Sequence, residues 1–117
     1  MINIWALEKH ESIKLLLILL NEKIGPDNFV IVEDQGLDAR AIRLAKPNEN
    51  DISAYLYTYG QNEERYGVHL ELPDLAESDI SNTAEIYENL NFSRLADMLC
   101  VHFDVVPAME DVKSLGD

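Results

Sequence analysis

The first regular pattern in the chain is a helical one. Apolar side chains recur every three or four residues between Trp5 and Lys23, which is the spacing of one face of an α-helix. The run from Leu15 to Leu20 is apolar on all sides, so we expect the rest of the protein to cover most of this stretch. Gly25 and Pro26 follow directly, and this pair is typical of a helix end.

Alternation of apolar and polar side chains then predicts strands. Residues 29–32 and 39–45 are short β-prone segments, separated by a turn sequence at 34–36. The polar run 47–51 predicts a loop.

The clearest pattern is a hairpin. Ile52 to Tyr59 and Arg65 to Leu72 both alternate, and the segment between them contains Gly60. Alternation gives the hairpin two different faces. The apolar face consists of Ile52, Ala54, Leu56, Tyr66, Val68, Leu70 and Leu72. The opposite face consists of Ser53, Tyr55, Tyr57, Tyr59, Arg65, His69 and Glu71.

Helical signals return after the hairpin. Asn82 followed by Glu85 is typical of a helix start and predicts a short helix over 84–90. Ser93 is the candidate cap of another helix, which would bury one face. That face consists of Leu95, Met98, Leu99 and Phe103.

A helix, an antiparallel meander and further helices, in this order, predict an α+β fold. We expect an N-terminal helix, a meander of about three to five strands and C-terminal helices packed on the sheet. A length of 117 residues suits a single domain, which is expected to span 1–117. Pro107 breaks the last helical pattern, so the tail from about residue 108 is expected to fray.

The net charge of the chain limits the possible classes of binding partner more than any sequence motif does. The chain has 22 acidic and 9 basic residues, a formal net charge of -13. Such a field repels nucleic acids and anionic membranes and attracts basic proteins. The segment from Glu71 to Glu88 holds six acids and no base. A basic protein partner is therefore expected, and acidity that serves only solubility is the alternative.

No pattern points to a metal, a cofactor or a catalytic nucleophile. His10, His69 and His102 lack partners at zinc-binding spacing, and the sequence has no glycine-rich phosphate loop. Cys100, the single cysteine, lies in an apolar helical pattern and predicts a buried, inert thiol. No signal peptide or membrane span is expected, which favours the cytoplasm. One enzymatic alternative stays open, in which His69 and Glu71 act as base and orienting carboxylate.

Two features qualify as a partner-binding surface. Tyr55, Tyr57 and Tyr59 share one strand face, and tyrosine is favoured at protein interfaces. A helix covering that face would instead make them a second core layer. The acidic segment beside them would pair with basic side chains of a partner, or be a solvated charge run. The candidate partner-binding residues are Tyr55, Tyr57, Tyr59, His69, Glu71, Asp74, Glu77, Asp79 and Glu85.

The hairpin ISAYLYTYGQNEERYGVHLEL and the acidic stretch ELPDLAESDISNTAEIYE give the chain a recognisable character. It resembles bacterial immunity proteins, in particular those paired with contact-dependent growth inhibition toxins. The resemblance implies a non-enzymatic protein that neutralises a toxin C-terminal domain, often a nuclease, by occluding its active site in the producer's cytoplasm. An adaptor or regulatory subunit without a toxin partner is the alternative.

Overall fold

The computed structural model of the protein describes residues 4–32, 38–72 and 85–105. Five strands form one antiparallel sheet in which each strand pairs with the next along the chain. The strands are β1 (Val30–Val32), β2 (Ala41–Lys46), β3 (Glu49–Tyr57), β4 (Tyr66–Glu71) and β5 (Glu85–Leu90). The α-helices of the described residues are α1 (Glu11–Lys23) and α2 (Phe92–Phe103). A helix, a meander and a helix packed on the sheet confirm the predicted α+β fold.

Helix α1 ends where the sequence predicts but begins later. Gly25, which follows the C-cap residue Ile24, has a φ of 104°, which glycine adopts without steric cost. At the other end, His10 is extended, and its Nδ1 accepts a hydrogen bond of 3.0 Å from the Ser12 amide. Because this side-chain cap fixes the first turn, the predicted start at Trp5 is wrong.

The predicted polar loop over 47–51 is also wrong, because its second half belongs to β3. Lys46 pairs with Glu49 across a tight turn, and Asn48 in that turn has a φ of 67°. Asparagine tolerates this left-handed conformation better than most residues. Lys46 Nζ and Glu49 Oε1 form a salt bridge of 2.8 Å over the turn. Strand pairing therefore overrides the polar composition of this segment.

The predicted helix over 84–90 is strand β5. Its Ile86 pairs with His69 of β4, and Asn89, with a φ of 55°, lies where the register shifts. Local helix signals are weak, and pairing with the free edge of β4 outweighs them in this segment. The sheet therefore gains a fifth strand in place of a helix.

Helix α2 has the predicted apolar face but a different cap. The side chain of Asn91 accepts a hydrogen bond of 2.8 Å from the Arg94 amide, so Asn91 is the cap and Ser93 lies inside the helix. The buried residues of the helix are Leu95, Ala96, Leu99, Cys100 and Phe103. Cys100 is 6% exposed, which confirms the predicted buried thiol. Met98 is half-buried.

Both α-helices pack on one face of the sheet, which we call the inner face. The buried side chains of this face are Ile42, Leu44, Ala54, Leu56, Tyr66 and Val68. Ile52 and Leu70 pack at its margin. The predicted apolar face of the hairpin is thus confirmed, except for Leu72, which is 57% exposed.

Three predictions fall outside the described residues. They concern the turn at 34–36, the cap at Asn82, and the tail from about residue 108 with Pro107 before it.

Candidate functional site

The candidate site is the outer face of the sheet, opposite α1 and α2. Side chains of paired residues lie on the same face, so the strand register defines rows across the sheet. The central row consists of Arg43, Tyr55, His69 and Ile86. The row on one side consists of Ala41, Tyr57 and Gly67. The row on the other side consists of Ala45, Ser53 and Glu71.

Tyr57 is the most deeply buried aromatic residue of this face and is only 2% exposed. Its cross-strand neighbours, Ala41 and Gly67, are small, and a Cβ added at Gly67 would collide with the Tyr57 ring. The ring therefore lies directly against the backbone of β4. The Tyr57 hydroxyl donates a hydrogen bond of 2.7 Å to Glu88 Oε2. Burial, together with this carboxylate, raises the pKa of Tyr57.

Tyr55 and Tyr59 are the accessible members of the tyrosine stripe. Tyr59 is 39% exposed, and its ring stacks on that of Tyr57 with the centroids 4.7 Å apart. The hydroxyls of Tyr55 and Tyr59 are 3.1 Å apart. Burial and this hydrogen bond raise the pKa of Tyr55 to about 12. Tyr55, Tyr57 and Tyr59 therefore form one packed aromatic cluster, in which Tyr57 is the least exposed ring and Tyr59 the most exposed.

Arg43 and Glu71 form a bidentate ion pair at the other end of the outer face. Arg43 Nε lies 3.0 Å from Glu71 Oε1, and Nη2 lies 3.2 Å from Oε2. Ser53 Oγ also donates to Oε1, at 2.8 Å. Burial raises the pKa of Glu71, but the hydrogen bonds from Arg43 and Ser53 outweigh it and lower the pKa overall. Glu71 is thus held as a carboxylate by its own chain.

His69 lies in the centre of the outer face, between aromatic rings. Its ring centroid is 5.4 Å from that of Tyr55 and 5.3 Å from that of Tyr57, in the second case edge-on. A histidine base needs a hydrogen-bonded group to orient it. Within the described residues, however, Glu71 bonds to Arg43 and Ser53, and no hydrogen bond joins it to His69. The enzymatic alternative, in which Glu71 orients His69 as a base, therefore lacks the hydrogen bond that it requires.

The acidic residues of the candidate segment do not all lie on the same face of the sheet. Glu85 pairs with Leu70 and so lies on the side of the sheet that carries the helices, where it accepts a hydrogen bond of 3.1 Å from Tyr87. Glu88 is exposed and borders the outer face through its contact with Tyr57. Outside the described residues lie Asp74, Glu77 and Asp79.

Clefts open at other places on the described structure. A cleft of about 350 Å³ at the start of α1 includes His10 and Arg40, whose Nε2 and Nη2 atoms are 3.1 Å apart. Another, of about 390 Å³, lies between β5 and α2 and includes Tyr87 and His102. A third, of about 400 Å³, lies beside β1. His69 lines none of these three.

Several residues of the outer face were not put forward from the sequence, among them Arg43, Gly67 and Ile86. Gly67 carries a signal that could have found it, because a glycine inside a strand often marks the close approach of another group. Ile86 is 57% exposed, but its place beside His69 depends on β5 being a strand. Arg43 joins the site only through cross-strand register. Glu88 belongs to the predicted acidic segment, but its contact with Tyr57 depends on β5 being paired with β4.

Comparison with known proteins adds no relative to this picture: no protein-family model, curated protein or solved structure matches the chain. Within the described residues, no group of three or more His, Cys, Asp or Glu side chains is placed to hold a metal ion. No helix in the same residues is long and apolar enough to cross a bilayer. The geometry of the outer face and the net charge of the whole chain therefore carry the functional argument.

Proposed function

We propose that this protein is an immunity-type inhibitor that binds a basic toxin domain and occludes its active site in the cytoplasm of the producing cell. The observation that carries the proposal is an accessible aromatic surface, the outer face, on a chain with a net charge of -13. A nuclease is the expected toxin class, since its active site is built to hold phosphate.

The aromatic cluster supports a binding role because it is ordered before any partner arrives. Tyr59 is stacked on Tyr57 and linked through its hydroxyl to Tyr55, so little side-chain freedom remains to be lost on binding. Ile86, 57% exposed, adds apolar area next to His69. Exposed tyrosine with neighbouring apolar area is the composition of interface centres.

Charge supports a basic partner over an acidic or neutral one. Glu85 and Glu88 of β5 are exposed carboxylates, and the whole chain has 22 acids against 9 bases. Exposed charges of one sign steer an oppositely charged protein to the encounter and raise the association rate. They contribute less to holding the complex together, which falls to the aromatic centre.

The proposal is tested with the complex isolated from the native host through the tagged chain. Its association rate is measured while the salt concentration rises from about 50 to about 500 mM, which shortens the screening length several-fold. We expect a partner with a basic binding domain and a rate that falls at least about tenfold. An acidic partner, or a rate that does not change with salt, would overturn the proposal.

A further inference from the structure

The two ends of the outer face carry the same pair of groups, an aromatic ring and a carboxylate. At one end Tyr55 and Glu71 both contact the Arg43 guanidinium group. At the other end Tyr59 and Glu88 both contact Tyr57, Tyr59 through the ring and Glu88 through the hydroxyl. Tyr57 links the two ends, because its ring contacts those of Tyr55 and Tyr59 and its hydroxyl bonds to Glu88.

At the first end this pair already holds a guanidinium group. The central carbon of the Arg43 guanidinium lies 5.4 Å from the centroid of the Tyr55 ring. Its nitrogens donate to both oxygens of Glu71, at 3.0 and 3.2 Å. Arg43 thus makes a cation–π contact and a bidentate ion pair at once, a combination that the planar guanidinium group permits.

At the second end the ring and the carboxylate are open to solvent. Tyr59 is 39% exposed, and Glu88 is exposed as well. Oε2 of Glu88 accepts from Tyr57, and within the described residues no hydrogen bond reaches Oε1. The neighbouring base, Arg65, directs its Nη1 to the Asn89 carbonyl at 3.3 Å.

We propose that the ring of Tyr59 and the carboxylate of Glu88 receive an arginine side chain of the basic partner, which stacks on the ring and pairs with the carboxylate. This inference rests on the proposed function and adds the chemistry of the contact. Arginine fits better than lysine because a guanidinium group stacks flat on an aromatic ring and is more weakly hydrated than an ammonium group. A net charge of -13 makes a second copy of this chain a poor occupant.

The test uses two probes of equal charge, N-acetyl-arginine amide and N-acetyl-lysine amide, at constant ionic strength. Each is titrated into the full chain while NMR follows the ring of Tyr59 and the backbone amide of Glu88. We expect the arginine probe to shift both signals in a saturable way and to bind roughly two- to fivefold more tightly than the lysine probe.

Three variants separate stacking from charge. Tyr59→Leu removes the ring and should abolish the preference for arginine, whereas Tyr59→Phe keeps the ring and should retain it. Glu88→Gln keeps an oxygen that accepts from Tyr57 but removes the charge, and should weaken arginine binding roughly two- to fivefold. Thermal unfolding of each variant checks that the fold is intact.

Equal binding of the two probes would overturn the inference. So would shifts centred away from Tyr59 and Glu88, or no shift at about 100 mM probe, a concentration at which even very weak binding is visible. The same holds if Tyr59→Phe loses the preference as fully as Tyr59→Leu. The proposed function fails by a different result, a salt-independent association rate with the protein partner, so the two failures are distinguishable.

Discussion

On the inner face of the sheet, Leu56 and Val68 are fully buried under α1 and α2; on the outer face, Tyr57 is almost as well buried without either helix above it. Other residues of the sheet bury the Tyr57 ring. The ring lies flat because its neighbours on the adjacent strands, Ala41 and Gly67, are small, and the Tyr59 ring stacks on it. Tyr57 and Tyr59, two residues apart on the same side of the sheet, therefore have different roles. Tyr57 supports the surface, and Tyr59 presents it.

The largest expected effect of a substitution is on the inner face. Leu56→Ala leaves a cavity under the helices and should lower the free energy of unfolding by about 2–5 kcal/mol. Val101→Ala on α2, where the side chain is 82% exposed, is the control and should change it by less than about 0.5 kcal/mol. Urea unfolding measures both. Similar losses would mean that the inner face is not the main core.

Gly67→Ala tests how the outer face is packed. The new Cβ collides with the Tyr57 ring, and overpacking of this kind costs about 1–3 kcal/mol of unfolding free energy. In the double variant with Tyr57→Leu the collision is relieved, so the two losses should not add. Additive losses in urea unfolding would show that the ring does not lie on the glycine.

Tyr57→Phe removes the hydrogen bond to Glu88 and should cost about 1 kcal/mol at neutral pH. Because folding raises the pKa of Tyr57, the wild-type contribution is present below the unfolded tyrosine pKa of about 10 and is lost as the pH rises above it. The variant should lose less stability between pH values of about 9 and 11. An identical alkaline decline in both proteins would contradict the assignment.

Glu71→Gln should have the smallest effect on the free energy of unfolding, and this effect should be present at neutral pH and fade in acid. The pKa of Glu71 is lowered by folding, so its contribution is present above the unfolded value of about 4.3 and is lost as the pH falls through the folded value. Thermal unfolding below a pH of about 4.5 should therefore decline less steeply in the variant than in the wild type. A steeper decline would mean that Arg43 does not hold the carboxylate.

Some of this could be predicted from the sequence, and the reasons for the limits are physical. Alternation over 52–59 and 65–72 predicts the hairpin and its two faces, because burial of one face imposes a period of two. It cannot tell Tyr57 from Tyr59, since their exposure depends on Ala41 and Gly67, which only the strand register brings alongside. The sequence predicts a helix over 84–90 because a carboxylate near a cap residue is a local helix signal, whereas pairing with β4 makes this segment a strand.

The outer face as the binding surface is tested most directly by a matched pair of variants. Tyr59 on this face and Leu19 on α1 are both 39% exposed, so Tyr59→Ala and Leu19→Ala each remove a large side chain of the same fractional exposure. The dissociation constant of the complex with the basic partner is measured by calorimetry for both. Tyr59→Ala should weaken binding by about 5- to 30-fold and Leu19→Ala by less than about twofold. Equal losses, or a larger loss for Leu19→Ala, would contradict a binding surface on the outer face.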